Sequence, residues 1–426
     1  MQRYDSYKDS GVEWLGEVPS HWDILPGFTC FKENKDRNKG LVEKTVLSLS
    51  YGRIVVKPED KLTGLVPESF ETYQIIRPSD IVIRPTDLQN DYTSLRIGLA
   101  KNHGIITSAY IGLRCKPDIN PIYIFRLLES YDAMKVFYGM GSGLRQNMDF
   151  KDFKRLPIIL PPHEEQDRIV AFLDEKTAEI DAAIAKKERL IELLKEQKNI
   201  LINRAVTRGL NPYVAMQDSG VEWIGEIPSH WKVAALKRVL KSMDYGLSES
   251  SSSTGKFKIL NMGHVQDGKI NTHGSGYLVS APENLLLKNN DILFNRTNSF
   301  DLVGKTGIYE GSENNLTFAS YLVRLRTKSD INPAWLNYLM NTDTFLFFIR
   351  TLALRSLNQA NLNPTRLGLV SIPIPPVDEQ IYISEWLNLI EERTRDIAER
   401  VKLEIEVIKQ YRTCIIYHAV SGRVQC

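Results

Sequence analysis

An internal repeat constrains the fold of this chain more than any other feature. Residues 9–22 read DSGVEWLGEVPSHW and residues 218–231 read DSGVEWIGEIPSHW, so 12 of 14 positions are identical. A second pair follows in the same order, with PPHEEQ at 161–166 and PPVDEQ at 375–380. The two copies are offset by 209 residues in the first pair (218 − 9) and by 214 in the second (375 − 161), and a repeating unit of that length is too long for a solenoid. The sequence therefore predicts a duplicated pair of domains with an internal pseudo-two-fold repeat.

Each PPxxEQ motif begins a charged stretch in which apolar residues recur at alternating spacings of four and three, the pattern of a coiled-coil seam. The predicted seam consists of Ile169, Leu173, Ile180, Ala183, Leu190, Leu194 and Leu201 in the first copy and of Ile383, Leu387, Ile390, Ile397, Val401, Ile408, Tyr411 and Ile415 in the second. Prolines and acidic residues suit the helix starts, and Gly209 and Gly422 suit the helix ends. We expect two long helices of equal length.

The segments between the repeats look like diverged copies of one globular module. RPSDIVIRPTD (77–87) and KNNDILFNRTN (288–298) are each followed by a β-branched run and then by a DINP sequence. Short apolar runs at 81–83, 109–111 and 322–325 predict strands, and the segment after each DINP predicts a helix. Each module is therefore predicted to be α+β.

These features divide the chain into six segments. They are the N-terminal repeat motif at 1–22, the first module at 23–160, the central long helix at 161–211, the second repeat motif at 212–231, the second module at 232–374 and the C-terminal long helix at 375–426. The second repeat motif follows the end of a long helix. Pseudo-symmetry therefore places residues 1–22 near the end of the C-terminal helix, so the two termini should lie close together.

The charge of the chain is unevenly distributed. Lys and Arg total 54 against 52 Asp and Glu, but residues 23–160 carry 20 against 16 and residues 232–374 carry 16 against 10. Binding to phosphates needs local positive surface rather than a positive total. An excess of this size on two modules is also what ordinary scatter gives, so charge alone decides nothing.

Composition indicates a protein of the cytoplasm. The 4 cysteines form no CxxC pair, which argues against a disulfide framework and against structural zinc. No apolar run approaches the roughly 18 residues that a membrane helix needs. The polar start, MQRYDSYKDS, has no apolar signal region, so we expect a full-length chain without a membrane segment.

The motifs of a self-contained nuclease or methyltransferase are missing. The GKT at 304–306 would need a glycine where Ser299 stands to form a phosphate loop. Pro117-Asp118 has no ExK after it, and NPY at 211–213 lacks the second proline of an adenine-methyltransferase loop. The seven histidines form no HExxH or Ser-His-Asp pattern. We expect no catalytic residue and no metal site.

The chain resembles, along essentially its full length, the specificity subunits of type I restriction–modification systems. The resemblance lies in the duplicated GVEW(L/I)GE(V/I)PSHW element, the two PPxxEQ motifs and the GSGLRQN segment at 141–147. It implies an α+β fold in which two target-recognition domains are separated by two long antiparallel coiled-coil helices. Each domain would recognise one half of an asymmetric bipartite site in double-stranded DNA.

The same resemblance implies the partners and cofactors. The helices would set the unread spacer and dock two methyltransferase subunits, after which restriction and translocase subunits join. The complex would use S-adenosylmethionine, ATP and Mg²⁺ in those other subunits, and this chain would bind none of them. Docking candidates are Trp14, Trp22, Gln166, Trp223, Trp231 and Gln380.

Candidate DNA contacts are basic, amide and hydroxyl side chains in predicted loops, since Arg and Lys bind guanine edges, Asn and Gln bind adenine and small polar groups bind phosphates. They are Arg53, Arg84, Arg96, Arg145, Gln146 and Asn147 in the first module and Ser250, Ser251, Lys256, Lys258, Arg296, Asn298, Arg355, Asn358 and Gln359 in the second. Two alternatives remain open. The chain could be a coiled-coil protein scaffold without DNA specificity, or a stand-alone nuclease or methyltransferase.

Overall fold

The computed structural model describes residues 2–58, 69–88, 91, 95–140, 147–355 and 359–426. The chain divides into two compact units, one formed by Met1–Lys187 with Lys402–Cys426 and the other by Glu188–Val401. Each unit holds one globular module and one copy of the repeated motif, and two long helices supply residues to both. Within the described ranges, no helix is both long and apolar enough to cross a membrane.

In the described ranges, the first unit contains twelve strands, three α-helices, the beginning of a fourth and the last part of the C-terminal helix. They are β1 (Tyr7–Asp9), β2 (Glu17–Pro19), β3 (Asp23–Pro26), α1 (Gly27–Cys30), β4 (Phe31–Glu33), β5 (Leu47–Ser50), β6 (Arg53–Val56), β7 (Gln74–Ile76), β8 (Ile81–Ile83), β9 (Ile97–Leu99), β10 (Gly104–Ile106), β11 (Ile111–Cys115), α2 (Pro121–Ala133), α3 (Phe150–Phe153), β12 (Pro157–Leu160) and α4 (His163–Arg208).

The second unit receives the end of α4 and then continues through the remaining strands and helices. They are β13 (Met216–Asp218), β14 (Glu226–Pro228), β15 (Lys232–Ala235), β16 (Leu240–Tyr245), β17 (Phe257–Leu260), β18 (Val265–Gln266), β19 (Gly268–Ile270), β20 (Gly276–Leu278), β21 (Ile292–Asn295), β22 (Thr297–Asn298), β23 (Thr306–Ile308), β24 (Leu316–Phe318), β25 (Leu322–Thr327), α5 (Pro333–Met340), α6 (Asp343–Thr351), β26 (Leu354–Arg355), β27 (Ala360–Asn361), α7 (Pro364–Gly368), β28 (Ser371–Ile374) and α8 (Val377–Val420), whose last part belongs to the first unit.

Both modules are built on a sheet whose four core strands are antiparallel and have the same order, and in the second module the added strand β19 runs parallel to β23. The first has β4-β11-β8-β9, and the second has β16-β25-β21-β23 extended by β19 and β18. The strands predicted at 81–83 and 322–325 are confirmed as β8 and as part of β25. The strand predicted at 109–111 begins only at Ile111, because the Tyr110 N–H donates to the Thr107 carbonyl in a turn, at 3.2 Å. The α+β prediction is confirmed for both modules.

The helix predicted after each DINP sequence is confirmed as α2 and α5. Asn120 caps α2 because its Oδ1 accepts from the Ile122 N–H at 2.9 Å, and Asn332 caps α5 in the same way, from the Trp335 N–H at 2.9 Å. A proline follows each cap at the first helical position, where no N–H is needed. The apolar faces of both helices are buried in the core of their module.

The repeated motif folds identically in the two units, as a small hairpin against the end of a long helix. β1 pairs with β2 and β13 with β14, and the Ser10 and Ser219 N–H groups each donate across the loop at 3.0 Å. In the first unit, Tyr7 Oη donates to the Gly422 carbonyl at 3.0 Å. The Gln425 N–H also donates to the Gln2 carbonyl, at 2.9 Å. The N-terminal repeat motif therefore lies against the end of α8.

Gly422→Ala should destabilise the chain by about 1 to 3 kcal/mol more than Gly220→Ala, because only the first adds a packing clash. The two glycines have the same left-handed φ of +71°, so both variants carry the same backbone strain. A Cβ at Gly422 would lie 2.3 Å from Pro19 Cδ, whereas a Cβ at Gly220 meets nothing within 4 Å. Urea unfolding of the two variants measures the difference, and equal midpoints would contradict it.

α4 and α8 run antiparallel where they meet. In the first unit, Arg412 Nε lies 3.4 Å from Asp181 Oδ1, and Lys187 forms an ion pair with Glu404. In the second unit, Lys198 Nζ lies 3.4 Å from Glu391 Oε1. In the first unit, residue numbers therefore rise along α4 as they fall along α8, so the two helices have opposite directions. The same order holds in the second unit, where Lys198 lies beside Glu391 and Gly209 lies beside Glu379.

Most of the predicted seam residues are buried or partly buried, and three of them are exposed. Ile169, Leu173, Ile180, Ile383, Leu387, Val401 and Ile415 are buried, and Ala183, Leu194, Leu201, Ile390 and Ile408 are partly buried. Leu190, Ile397 and Tyr411 are instead 41%, 45% and 52% exposed, which corrects the prediction for them. The spacing of four and three also predicts seam positions at Lys176 and Glu404. The buried residues there are instead the next ones along each helix, Thr177 and Ile405, so every second seam position is shifted by one residue. One residue turns a helix by about 100°, which is enough to expose a side chain.

Candidate nucleic-acid interface

A narrow three-stranded sheet, β22-β27-β26, brings together four of the nine polar candidates of the second module. Asn298 and Arg355 both pair with Ala360, from opposite sides, and Arg296 directly precedes β22. Gln359 is exposed just before β27. Asn358 lies outside the described residues.

Two arginines on this sheet are stacked on aromatic rings. The guanidinium carbon of Arg296 lies 5.1 Å from the ring centroid of Tyr245, and its Nη2 donates to Asn361 Oδ1 at 3.2 Å. The guanidinium carbon of Arg355 lies 3.7 Å from the ring centroid of Phe300. Stacking fixes the plane of a guanidinium without using its N–H groups. Arg355 is exposed, so its donors face solvent.

The hydroxyl-rich loop of the second module lies at a different sheet, β20-β17-β24. Ser250, Ser251 and Lys256 are exposed there. Lys258 lies 2.6 Å from Glu313, and this hydrogen-bonded carboxylate raises the pKa of the lysine. The candidates of the second module therefore form two groups rather than one.

The first module uses two of its candidate arginines internally. Arg96 is fully buried, with Nη1 donating to the Thr86 carbonyl at 2.7 Å and Nη2 to the Asp91 carbonyl at 2.6 Å. Its prediction as a DNA contact is therefore corrected, because its donors are already used. Arg84 forms an ion pair with Asp91.

The remaining candidates of the first module differ in exposure and in placement. Arg53 is exposed on β6, and Asn147 is exposed with its Oδ1 accepting from the Asp87 N–H at 3.1 Å. Arg145 and Gln146 lie outside the described residues.

An aspartate–arginine pair supports the sheet of each module, and sequence analysis missed it. Arg114 donates to both carboxylate oxygens of Asp80, through Nε and Nη2 at 2.8 Å each. Arg326 binds Asp291 in the same way, at 2.7 and 2.6 Å. The hydrogen bond to Asp291 raises the pKa of Arg326. The signal was present in the sequence, as an Asp before one strand and an Arg inside the other in both modules.

The glutamine of each PPxxEQ motif joins a long helix to its own module. Gln166 Oε1 accepts from the Asn120 N–H at 3.0 Å, and its Nε2 donates to the Pro161 carbonyl at 2.9 Å. Gln380 makes the same two bonds, to the Asn332 N–H at 2.8 Å and the Pro375 carbonyl at 2.8 Å. Both glutamines are buried, so their prediction as docking residues is corrected.

The repeated tryptophans also pack inside the fold. Trp22 and Trp231 are buried, which removes them from the docking candidates. Trp14 and Trp223 are partly buried, against Tyr131 at 4.7 Å and Phe345 at 5.3 Å between ring centroids.

The two repeated histidines contact the helix starts. His21 lies 2.9 Å from Glu165, and His230 lies 2.9 Å from Glu379. Each therefore joins a repeat motif to the first turn of a long helix. Over the described ranges, no three His, Cys, Asp or Glu side chains are grouped as metal ligands.

Comparison with known proteins places these features in a family. A family model described as the type I restriction modification DNA specificity domain matches residues 97–193 and 228–407. A putative type I restriction enzyme MjaX specificity subunit of Methanocaldococcus jannaschii is 31% identical over 194 residues, which are 44% of this chain and 44% of that protein. The match thus spans less than half the length of that relative.

Two further similarities extend over nearly the whole chain. The type I restriction enzyme StySPI specificity subunit of Salmonella potsdam is 26% identical over 430 residues, covering 96% of this chain and 90% of that protein. A chain from a structural study of complex assembly and conformational transition in the type I R–M system has a TM-score of 0.67 at 17% identity and covers 96% of this chain and 99% of its own, which shows a shared fold. Because the family model matches well over half of the sequence, the chain belongs to the type I restriction–modification DNA specificity family.

Proposed function

We propose that this chain supplies DNA sequence recognition in a type I restriction–modification complex, with each module recognising one half of an asymmetric bipartite site. The observation that carries the proposal is that the two modules share one backbone arrangement but present different side chains on it. The Met148 N–H donates to the Pro85 carbonyl at 2.9 Å, and the Leu362 N–H donates to the Arg296 carbonyl at 2.8 Å. Pro85 thus occupies in the first module the place of Arg296 in the second. Different side chains on one frame suit two different half-sites.

We assign methyl transfer and DNA cleavage to other subunits, which would use S-adenosylmethionine, ATP and Mg²⁺. The GKT segment supports this assignment, because its backbone is already bonded within the module. The Gly304 N–H donates to the Asn295 carbonyl at 2.8 Å, and the Thr306 N–H donates to Asn341 Oδ1 at 3.1 Å. A phosphate loop needs such N–H groups to point at the ligand.

We further propose that α4 and α8, as a coiled coil, set the unread spacer between the half-sites. The helices have 46 and 44 residues. At about 1.5 Å per residue, each is roughly 65 to 70 Å long. The ion pairs that join α4 to α8 within each unit support this proposal.

The exposed apolar side chains of the long helices support docking of two copies of one partner, which we take to be the methyltransferase subunit. On α8, the docking stripe consists of Leu403, Val407 and Tyr411, which are 67%, 63% and 52% exposed and lie on one helix face at spacings of four. On α4, Leu193 and Ile200 are 45% and 63% exposed. Leu193 and Val407 are 214 residues apart (407 − 193), the same offset as the two PPxxEQ motifs (375 − 161). At this offset Leu403 and Tyr411 correspond to Arg189 and Gln197, so the two copies share one apolar position. Binding of one kind of partner twice is therefore favoured by the duplication of the chain rather than by a repeated apolar stripe.

The test exchanges residues 232–374 for the corresponding segment of a specificity subunit with a different target. DNA methylation by the complete complex would then be mapped across a genome. We expect one half of the methylated motif to change while the other half stays. An unchanged motif would contradict the proposal and favour the protein-scaffold alternative. Methylation or cleavage by the purified chain with cofactor alone would instead favour the stand-alone enzyme.

A further inference from the structure

The edge of the β22-β27-β26 sheet carries an arginine with an unusual combination of order and exposure. β26 is the edge strand and consists of Leu354, which is 65% exposed, and Arg355. The face of the Arg355 guanidinium is covered by Phe300 at 3.7 Å, and the side chain is nevertheless exposed. The position of its donor plane is therefore fixed by the protein, while the donors themselves point outward.

The other arginines around this sheet are bound to the protein. Arg350 donates to the Val303 carbonyl at 3.1 Å and to the Asp301 carbonyl at 2.6 Å. Arg296 donates to Asn361 Oδ1 at 3.2 Å, and Arg324 lies 2.7 Å from Asp244. The Arg355 side chain donates no hydrogen bond and forms no ion pair with any residue that the structure describes. An exposed guanidinium held flat on an aromatic ring is prepared to bind an external acceptor.

The geometry of the acceptor follows from the geometry of the donor. A guanidinium presents parallel N–H groups in a rigid fork, and the O6 and N7 atoms of guanine form the matching pair of acceptors in the major groove. A narrow β-ribbon is one of the two kinds of element that this groove admits. A phosphate contact needs positive charge but not a fixed donor plane, and a mobile lysine serves it well.

We propose that Arg355 recognises a guanine in the half-site of the second module, and that Phe300 acts as its positioning residue. This inference rests on the proposed function and goes further, because it names one base and one side chain. It also predicts an asymmetry between the half-sites, because in the first module Arg84 is paired with Asp91 and Arg96 is buried.

The experiment maps methylation by the complete complex carrying Arg355→Ala or Arg355→Lys. For both variants we expect one guanine of one half-site to become degenerate, with a loss of about 10- to 100-fold in discrimination at that position. Every other position of the motif should be unchanged. Arg355→Lys keeps the charge and loses the fork, so it separates base recognition from simple electrostatic attraction. Arg366→Ala is the matched control, because Arg366 is an exposed arginine of the same unit on α7, and it should leave the motif intact.

Phe300→Leu tests the positioning role. It keeps Arg355 and should relax the same base pair by a smaller factor, which a merely structural role would not restrict to one position. An unchanged motif in the Arg355 variants would overturn the inference. A uniform weakening at all sites would overturn it as well, since that result indicates a phosphate contact. Failure of the proposed function is distinguishable, because the unaltered complex would then show no bipartite motif at all.

Discussion

Asp291→Ala is expected to destabilise the second unit by about 3 kcal/mol or more, because it leaves buried positive charge without its partner. The Asp291 side chain is only 2% exposed and accepts two hydrogen bonds from Arg326. It also accepts from the Lys288 N–H at 2.8 Å. Arg324, 3% exposed, has its Nε 3.9 Å from the same carboxylate. Hydrogen exchange in the variant should show lost protection in peptides covering 288–327.

The two units provide the controls for this variant. Peptides covering 77–116 should keep their protection in Asp291→Ala and lose it in Asp80→Ala, because Asp80 and Arg114 form the equivalent pair in the first unit. Glu313→Ala removes an exposed partner of Lys258 and should leave stability nearly unchanged, as is usual for surface ion pairs. Equal effects of Asp291→Ala and Glu313→Ala would show that the buried pair has no special importance.

Val407→Asp combined with Leu403→Ser should weaken binding of the proposed partner, the methyltransferase subunit, by about 100-fold, because a charge would be buried in the centre of the docking stripe. Both side chains are more than 60% exposed in the free chain, so the substitutions should leave its own stability almost unchanged. Calorimetric titration of the chain with the methyltransferase subunit measures the affinity.

A matched double variant at exposed polar sites of α8 keeps this prediction falsifiable. Lys402→Asp with Glu406→Ser alters neighbouring residues on the same helix but leaves the docking stripe intact. We expect it to bind the partner nearly as the unaltered chain does. Similar losses for the two double variants would indicate a general charge effect and contradict a specific stripe.

The repeat alone predicted most of the architecture. Two near-identical motifs and two PPxxEQ sequences predicted two long helices, two related modules and neighbouring termini, because each motif must satisfy the same contacts in each copy. The phase of the helix seam could not be derived in the same way. Apolar residues stand side by side at Leu190-Ile191 and Leu193-Leu194, so the sequence fits two frames that differ by one residue. Only contact with the opposite helix selects between them.

Single side chains were harder to predict than the frame. Arg96 and Arg355 are both arginines in loop-rich segments, yet one is fully buried among carbonyl groups and the other is stacked on a ring in solvent. Their difference depends on residues distant in sequence, such as Asp132, whose carboxylate accepts from the Arg96 N–H at 2.8 Å. The residues next to an arginine in the sequence therefore do not predict whether its side chain is buried or exposed.

The hydrogen bond between Gln425 and Gln2 holds the two chain ends of the first unit together. In the second unit, α4 runs directly into the repeat motif through residues 209–215, whereas in the first unit the same junction is held without a peptide bond. A circularly permuted chain that started at the second repeat motif and ended with α4 would therefore keep the contacts between each repeat motif and the end of its long helix. During evolution, recombination within the two near-identical motifs could exchange one module as a cassette and leave every contact of the helix starts and ends in place.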